Sequence, residues 1–150
     1  MMTVDRLVDR ASELTARATD LATAAPDPVV FARVGLGAMV FLAGVHKLLA
    51  PGAWALYVTD WLVPWLVVSP VAFMLLNGVL EVGFGAAIVV DRFTAFAAGV
   101  AAVSLSVTVG YLGIVAVLED GLFVDVLVRD VGLAALAWAV TVDALRGFGE

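Results

Sequence analysis

The sequence predicts an all-α integral membrane protein: a four-helix bundle with an N-terminal amphipathic helix and an interfacial helix between the first two spans. Of its 150 residues, 63% are hydrophobic and only 15% are charged. A soluble domain of this size carries about a quarter charged residues. The apolar residues are concentrated in four long runs, and about 20 apolar residues in a helix cross the hydrocarbon of a bilayer. We therefore expect one bundle in a lipid bilayer and no soluble domain.

Residues 1–27 form a polar segment with a narrow apolar stripe. The stripe alternates spacings of three and four along Val4, Leu7, Ala11, Leu14, Ala18 and Leu21. This pattern predicts a helix with one apolar face. Pro26 and Pro28 end the helix, because proline lacks an N–H donor and disfavours helix just before it. We expect an amphipathic cytoplasmic helix that lies on the membrane or against the bundle, with a short coiled-coil contact between subunits as the alternative.

Four apolar runs define a predicted membrane domain at residues 28–146. The spans are expected at residues 29–49, 69–90, 93–118 and 124–145. Pro51 ends the first span and Pro70 opens the second, since proline is tolerated at a helix start and breaks a helix interior. The connections after the second and third spans are very short, so these helices must be antiparallel neighbours.

The segment between the first two spans has a different character. It covers residues 53–68 and is too short, and too interrupted by Asp60 and Pro64, to cross the membrane. Its aromatic residues share one helical face: Trp54, Tyr57, Trp61 and Trp65. Amphipathic aromatic rings prefer the headgroup region of a bilayer. The pattern favours an interfacial helix that anchors the bundle over an aromatic ligand cage.

Small residues recur within the spans. They are Gly35, Gly37 and Gly44 in the first, Gly78, Gly83 and Gly85 in the second, and Ala98, Ala102, Ser106 and Gly110 in the third. Small side chains let membrane helices approach each other closely. These positions are therefore predicted packing surfaces.

Charge and composition exclude several functions. The net charge is −6, from fourteen acids and eight bases, which argues against nucleic acid as a partner. The chain has no cysteine and a single histidine, His46. Disulfides, iron–sulfur clusters, Cys/His zinc sites and a bis-histidine haem are therefore excluded within one chain. Any redox cofactor must be diffusible or be held by a partner.

The bases divide unequally between the two predicted sides of the membrane. The side with both termini holds Arg6, Arg10, Arg17, Arg33, Arg92 and Arg146. The opposite side holds only Lys47 and Arg129. Cytoplasmic loops carry the excess of basic residues in membrane proteins. We therefore expect a multi-pass protein of the cell membrane with both termini in the cytoplasm.

Glu81 is the most costly residue of the predicted bundle, because it lies near the middle of the second span. A carboxylate in hydrocarbon is expensive unless it is paired, hydrated or neutral. One possible partner is Arg33, near one end of the first span. In the alternative arrangement, Glu81 lies at the inner end of a polar column, a row of polar residues that runs through Asn77 to His46 and Lys47. The structural interpretation is an ion pair of Glu81 with Arg33 that fixes the packing of the first two spans. The functional interpretation is a proton-relay or ligand site that opens toward the outer face.

The remaining candidate residues lie near the ends of spans. His46 is expected at the interface in a hydrogen bond, and Lys47 is expected to extend its ammonium to the headgroups. Arg129 and Asp130 begin the last span and are expected to pair with each other or to satisfy its helix end.

Three motifs together resemble those of a known family. The first helix has an arginine with glycines at residues 33–37 and then Ala-Gly-x-x-Lys at residues 43–47. The second has an acid with glycines at residues 81–85 and a basic turn at residues 91–92. The last opens with Arg-Asp-x-Gly-Leu at residues 129–133. Their order and spacing over most of residues 29–145 resemble the DoxX family of four-span membrane proteins.

The resemblance implies a subunit of a membrane redox assembly. Some DoxX proteins are membrane subunits of a thiosulfate:quinone oxidoreductase, and others associate with thiol-redox and superoxide-detoxifying proteins. Redox subunits are then the expected partners and a quinone is the expected cofactor, with no catalytic residue or metal assigned. The positions that the resemblance singles out are Arg33, Lys47, Glu81, Arg129 and Asp130.

Two other functions stay open at the level of the sequence. One is a non-catalytic membrane scaffold, in which the polar residues only fix the bundle and residues 1–27 recruit a partner. The other is a small proton-coupled transporter that uses Glu81. Four spans without an internal repeat would need a homo-oligomer to build a transport pathway.

Overall fold

The computed structural model describes residues 4–147, apart from the side chain of Asp5. The described chain is helical throughout its regular structure, which confirms the all-α prediction. The helices are α1 (Val4–Ala24), α2 (Pro28–Leu49), α3 (Pro51–Ala55), α4 (Pro70–Val89), α5 (Thr94–Leu118) and α6 (Val124–Arg146), with a single 3-10 turn at Val63–Trp65. The chain divides into two compact units, Met1–Phe31 and Ala32–Glu150.

In the first unit, α1 forms where the apolar stripe predicts a helix. Its hydroxyl side chains are satisfied within the helix: Thr15 donates to the carbonyl of Ala11 at 2.8 Å, and Thr19 donates to the carbonyl of Thr15 at 2.9 Å. After the break at the prolines, the carboxylate of Asp27 accepts a hydrogen bond of 2.8 Å from the backbone N–H of Val29. This bond satisfies one of the free N–H groups at the start of α2.

In the second unit, α2 and α4 are antiparallel and meet in near-backbone contact at glycines. A β-carbon built on Gly44 would lie 2.7 Å from the carbonyl oxygen of Gly78. One built on Gly85 would lie 2.7 Å from Cα of Phe41 and 2.8 Å from the carbonyl oxygen of Gly37. Only glycine fits at such contacts, as the predicted packing surfaces require. Three other predicted positions have open space around them: Gly35, Gly83 and Gly110.

The helices α5 and α6 also run antiparallel and complete the core. Nε1 of Trp138 on α6 donates to Oγ of Ser106 on α5 at 3.1 Å. Toward the other end of the pair, Gly99 faces the side chain of Thr141. A row of small buried residues on α5 packs into one apolar core with α2, α4 and α6; it comprises Ala97, Ala98, Ala101 and Ala102.

Three of the described helices, α2, α4 and α5, are long and apolar enough to cross a membrane. The fourth predicted span forms as the helix α6. It carries Asp125, Arg129 and Asp130 in its first two turns and Asp143 near its end. Because of these charges, α6 is not among the three helices that are apolar enough to count as membrane spans. The crossing predicted at residues 124–145 therefore stays a prediction.

The predicted interfacial helix over residues 53–68 is wrong as a continuous element. The segment contains only the short helix α3 and one 3-10 turn. The hydroxyl of Tyr111 on α5 donates to the carbonyl of Tyr57 at 2.7 Å and accepts from the backbone N–H of Thr59 at 3.0 Å. These backbone groups are thereby withdrawn from helical hydrogen bonds.

The aromatic residues of this segment consequently do not share one face. The ring centroids of Trp54 and Tyr57 lie 6.0 Å apart, and Trp61 and Trp65 have other surroundings. The rings of Tyr57 and Phe123 pack edge-on with 4.8 Å between their centroids. The ring centroids of Trp61 and Tyr111 are 5.5 Å apart. Trp65 is 81% exposed. The segment is held by contacts to Tyr111 of α5, to Phe123 just before α6 and, through Trp54, to the end of α2, and not by one shared aromatic face.

Candidate functional site

Two charged side chains pair inside the bundle. The ammonium of Lys47, near the end of α2, donates to Oε1 of Glu81 on α4. The Lys47 side chain is 11% exposed and the Glu81 side chain is 25% exposed. The expectation that Lys47 reaches out to the headgroups is therefore wrong. The structure places Glu81 in direct contact with Lys47, which neither arrangement predicted for Glu81 contained.

The close crossing of α2 and α4 at Gly44 and Gly78 determines where Lys47 and Glu81 lie. Gly44 lies one turn before Lys47 on α2, and Gly78 lies one turn before Glu81 on α4. Helical side chains tilt toward the N-terminus of their own helix. Because the helices are antiparallel, Lys47 and Glu81 extend toward each other from opposite sides of the crossing. A β-carbon on Gly44 would lie 2.9 Å from Cβ of Glu81, so this approach depends on glycine.

Trp54 and His46 lie at the Lys47 end of the pair. Nζ of Lys47 is 4.5 Å from the centroid of the Trp54 ring, within the range of a cation–π interaction. Nε1 of Trp54 donates to Nδ1 of the exposed His46 at 2.8 Å. Because Nδ1 accepts this bond, a neutral imidazole carries its proton on Nε2. Trp54 on α3 therefore links an exposed histidine to the buried ion pair.

One oxygen of Glu81 lacks a hydrogen-bond donor within the described part of the chain. This atom, Oε2, is buried. A buried acceptor without a donor costs about 1–3 kcal/mol. The ammonium of Lys47 has three N–H donors and uses one of them on Oε1. The pair therefore combines a buried acceptor oxygen that lacks a donor with an ammonium that has N–H donors to spare.

Arg33 forms its contacts at the C-terminal end of α4, about two turns beyond Glu81. Its Nη1 donates to the carbonyls of Ile88 at 2.9 Å and Val89 at 3.0 Å, and lies 3.6 Å from Oδ1 of Asp91. A cation is favoured there, since the last carbonyls of a helix lack intrahelical donors. Ile88 follows Glu81 by about 10 Å along the helix. The predicted pairing of Arg33 with Glu81 is therefore wrong.

The remaining candidates form their hydrogen bonds with groups other than Lys47 and Glu81. The amide of Asn77 donates to the carbonyl of Phe73 in its own helix at 2.9 Å, so the predicted polar column through Asn77 does not form. Nε of Arg129 donates to Oδ1 of its neighbour Asp130 at 2.9 Å, and only 7% of the Asp130 side chain is exposed. The predicted residues that come together are Lys47, Glu81 and, through Trp54, His46.

The sequence interpretation missed the part that Trp54 takes in this cluster. Trp54 was assigned to an anchoring face with the other aromatic residues of its segment. The available signal was the break at Pro51, directly after α2, which keeps the next aromatic residue close to Lys47 in space. Among residues 4–147, no group of three His, Cys, Asp or Glu side chains could hold a metal ion.

Three helices that qualify as spans, with an ion pair buried between two of them, define a multi-pass membrane protein with a polar interior site. A DoxX family model matches residues 29–116, more than half of the chain. The chain belongs to the DoxX family. The match includes Lys47 and Glu81 and ends before the motif at residues 129–133, for which the resemblance stays a prediction. No curated protein and no solved structure matches the chain.

Proposed function

We propose that the chain is a membrane-embedded subunit of a quinone-linked redox assembly, in which the Lys47–Glu81 pair binds the polar headgroup of a quinone. The observation that carries the proposal is Oε2 of Glu81, a buried acceptor without a donor beside an ammonium. Membership of the DoxX family supports the membrane setting. The chain supplies the binding site, and partner subunits supply the electrons.

The polar groups of the site fit the two forms of a quinone. A spare N–H of Lys47 is a donor for a quinone carbonyl, and Oε2 of Glu81 is an acceptor for the hydroxyl of the reduced form. Hydrogen bonds to charged groups are the stronger ones in proteins. A bound quinone supplies two-electron chemistry coupled to protons. Lys47 and Glu81 orient its ring and hold protons at its oxygens.

The test compares two variants that each remove the carboxylate that pairs with a cation of α2. Glu81→Gln acts on the buried pair, and the control Asp91→Asn acts on the exposed partner of Arg33. Binding of a short-chain quinol, the form whose hydroxyl donates to Oε2 of Glu81, to the purified protein in bicelles is measured by calorimetry in the absence of oxygen. We expect Glu81→Gln to bind at least about tenfold more weakly, since a hydrogen bond to a charged group contributes ~1.5–3 kcal/mol.

The control variant is expected to bind as the wild type does. In native membranes, Glu81→Gln should also lower quinone-dependent electron flow, whereas Asp91→Asn should not. Equal quinol affinity of the wild type and Glu81→Gln, with both proteins folded, would contradict the proposal.

A non-catalytic scaffold is the second candidate function, and a specific observation favours it. Lys47 and Glu81 are in direct contact, and Arg33, Asn77 and Arg129 are satisfied elsewhere. In a scaffold the pair only fixes the packing of α2 on α4. Replacing a buried ion pair by apolar residues of similar volume is often neutral for stability.

The double variant Lys47→Met/Glu81→Leu separates the two functions. It removes both charges together and leaves neither one unpaired. If the chain is a scaffold, the double variant keeps membrane electron flow and the same co-purifying proteins. If the pair binds quinone, the folded double variant loses quinone affinity and electron flow.

We also propose that α6 crosses the membrane and that both termini lie in the cytoplasm. The contacts of α6 with α5 run from Gly99–Thr141 to Ser106–Trp138, which supports a span that follows α5 across the bilayer. Reporter fusions after residue 147 and within the α5–α6 turn test both statements. We expect a cytoplasmic signal at the first site and a signal from the opposite side at the second. The same signal at both sites would exclude the crossing.

A further inference from the structure

An open apolar groove lies between α4 and α5 and includes neither Lys47 nor Glu81. Its volume is about 490 Å³. Leu80, Gly83 and Ala87 line it from α4, and Phe93 and Phe96 line it from the start of α5. Every side chain that lines it is apolar, whereas sites for small polar molecules contain a few converging polar groups. The groove therefore suits a hydrocarbon chain and not a polar ligand.

The groove owes its shape to a glycine and two aromatic rings. A β-carbon built on Gly83 would meet no atom within 4 Å, so the missing side chain leaves open space. Phe84 and Phe96 meet edge-on with 6.0 Å between ring centroids and close the groove between the two helices. Both helices are long and apolar enough to cross a bilayer. The groove therefore faces the hydrocarbon of the membrane.

A cation lies at the end of this groove. Arg92 directly precedes Phe93, which lines the groove, and Arg92 is exposed. Asp91, the residue before Arg92, has two other partners. Its Oδ1 lies 3.6 Å from Nη1 of Arg33 and accepts a hydrogen bond of 2.6 Å from Oγ1 of Thr94. Among the described side chains, no carboxylate lies within ion-pair distance of Arg92. The turn between two spans lies at the level of the headgroups, where basic residues attract anionic lipids.

We propose that the α4–α5 groove binds one acyl chain of an anionic phospholipid whose phosphate pairs with Arg92. The apolar groove accepts the chain at the depth of the hydrocarbon. The guanidinium meets the phosphate at the depth of the headgroups, where bidentate hydrogen bonds favour arginine. A neutral or hydroxylated ligand would leave Arg92 without a partner.

Photo-crosslinking in bilayers tests this site. The full chain is reconstituted in phosphatidylcholine with a small fraction of phosphatidylglycerol that carries a diazirine on one acyl chain, and the labelled peptides are mapped by mass spectrometry. We expect labelling to concentrate in residues 79–97. Arg92→Gln should lower the yield about fivefold, the factor for ~1 kcal/mol per basic residue near an anionic surface. The charge control Arg146→Gln should leave the yield unchanged.

A second pair of variants tests the groove itself. Gly83→Leu fills the groove, and Gly110→Leu adds the same side chain at another helical glycine with open space around it. Only Gly83→Leu should reduce labelling of residues 79–97. Equal labelling by a diazirine phosphatidylcholine, or no loss in Arg92→Gln, would show bulk lipid only and overturn the proposal. Ready disulfide formation between two copies of Gly83→Cys would overturn it in favour of a second copy in the groove.

Discussion

Gly85→Ala adds one methyl group at the closest contact between α2 and α4. The new β-carbon would lie 2.7 Å from Cα of Phe41 and 2.8 Å from the carbonyl oxygen of Gly37. Non-bonded carbon atoms prefer separations of about 3.5–4.0 Å. The atoms in the way belong to the backbone of α2, which no rotamer change can move. The two helices must therefore separate by about 1 Å or rotate against each other.

The expected cost follows from overpacking. Added methylene groups in a tight core cost ~1–3 kcal/mol, and rigid backbone neighbours place this site at the upper end. In a helix interior, alanine is also more favourable than glycine by about 1 kcal/mol. The control Gly83→Ala gains this preference without a clash, because its β-carbon meets open space. We therefore expect Gly85→Ala to be less stable than Gly83→Ala by about 3 kcal/mol.

The assay is reversible unfolding in mixed micelles by titration with sodium dodecyl sulfate, followed by circular dichroism. Both variants are compared with the wild type under identical lipid and detergent conditions. Equal unfolding free energies for Gly85→Ala and Gly83→Ala would refute the near-backbone packing of α2 on α4. The same result would remove the reason for the contact between Lys47 and Glu81.

Three further outcomes follow from the contacts of the bundle. Lys47→Met alone should lower the free energy of unfolding by ~3–5 kcal/mol, because it leaves the charge of Glu81 buried and unpaired; the double variant with Glu81→Leu should recover most of this loss in the same titration. Tyr111→Phe should cost about 3 kcal/mol, since it removes three hydrogen bonds, to Tyr57 and to two groups of Thr59, at ~1 kcal/mol each, and should speed amide hydrogen exchange in residues 56–63. Arg33→Gln should speed exchange at the last turn of α4, while exchange around Glu81 stays unchanged.

The helices could be predicted because their cause is local. Long apolar runs, with prolines at the borders of α2 and α4 and charged turns at the borders of α5, place these helices within one residue of the observed limits. The segment after α2 could not be predicted in the same way. Its four aromatic residues have helical spacing, but Tyr111 lies far away in sequence and takes the backbone hydrogen bonds that a helix would need.

The site could be predicted only in part. The sequence indicates that Glu81 needs a polar partner, and it offers Arg33 or a polar column through Asn77 but no direct contact with Lys47. The observed partner depends on the register of α2 against α4, which the glycine contacts set. Glycines at Gly35 and Gly83 have the same spacing signals as those that pack, yet they face open space. Which glycines pack is a property of the assembled helices and not of either helix alone.

Binding of a quinone labelled with ¹³C at its carbonyls gives the most direct test of the polar site. Infrared difference spectra are recorded for the wild type, for Lys47→Met/Glu81→Leu and for the control Asp91→Asn in the same bicelles. We expect the wild type and the control to lower the carbonyl stretching frequency, because a Lys47 N–H donates to the carbonyl oxygen. The double variant should show the frequency of free quinone. A free-quinone spectrum in all three proteins would contradict a quinone site at Lys47 and Glu81.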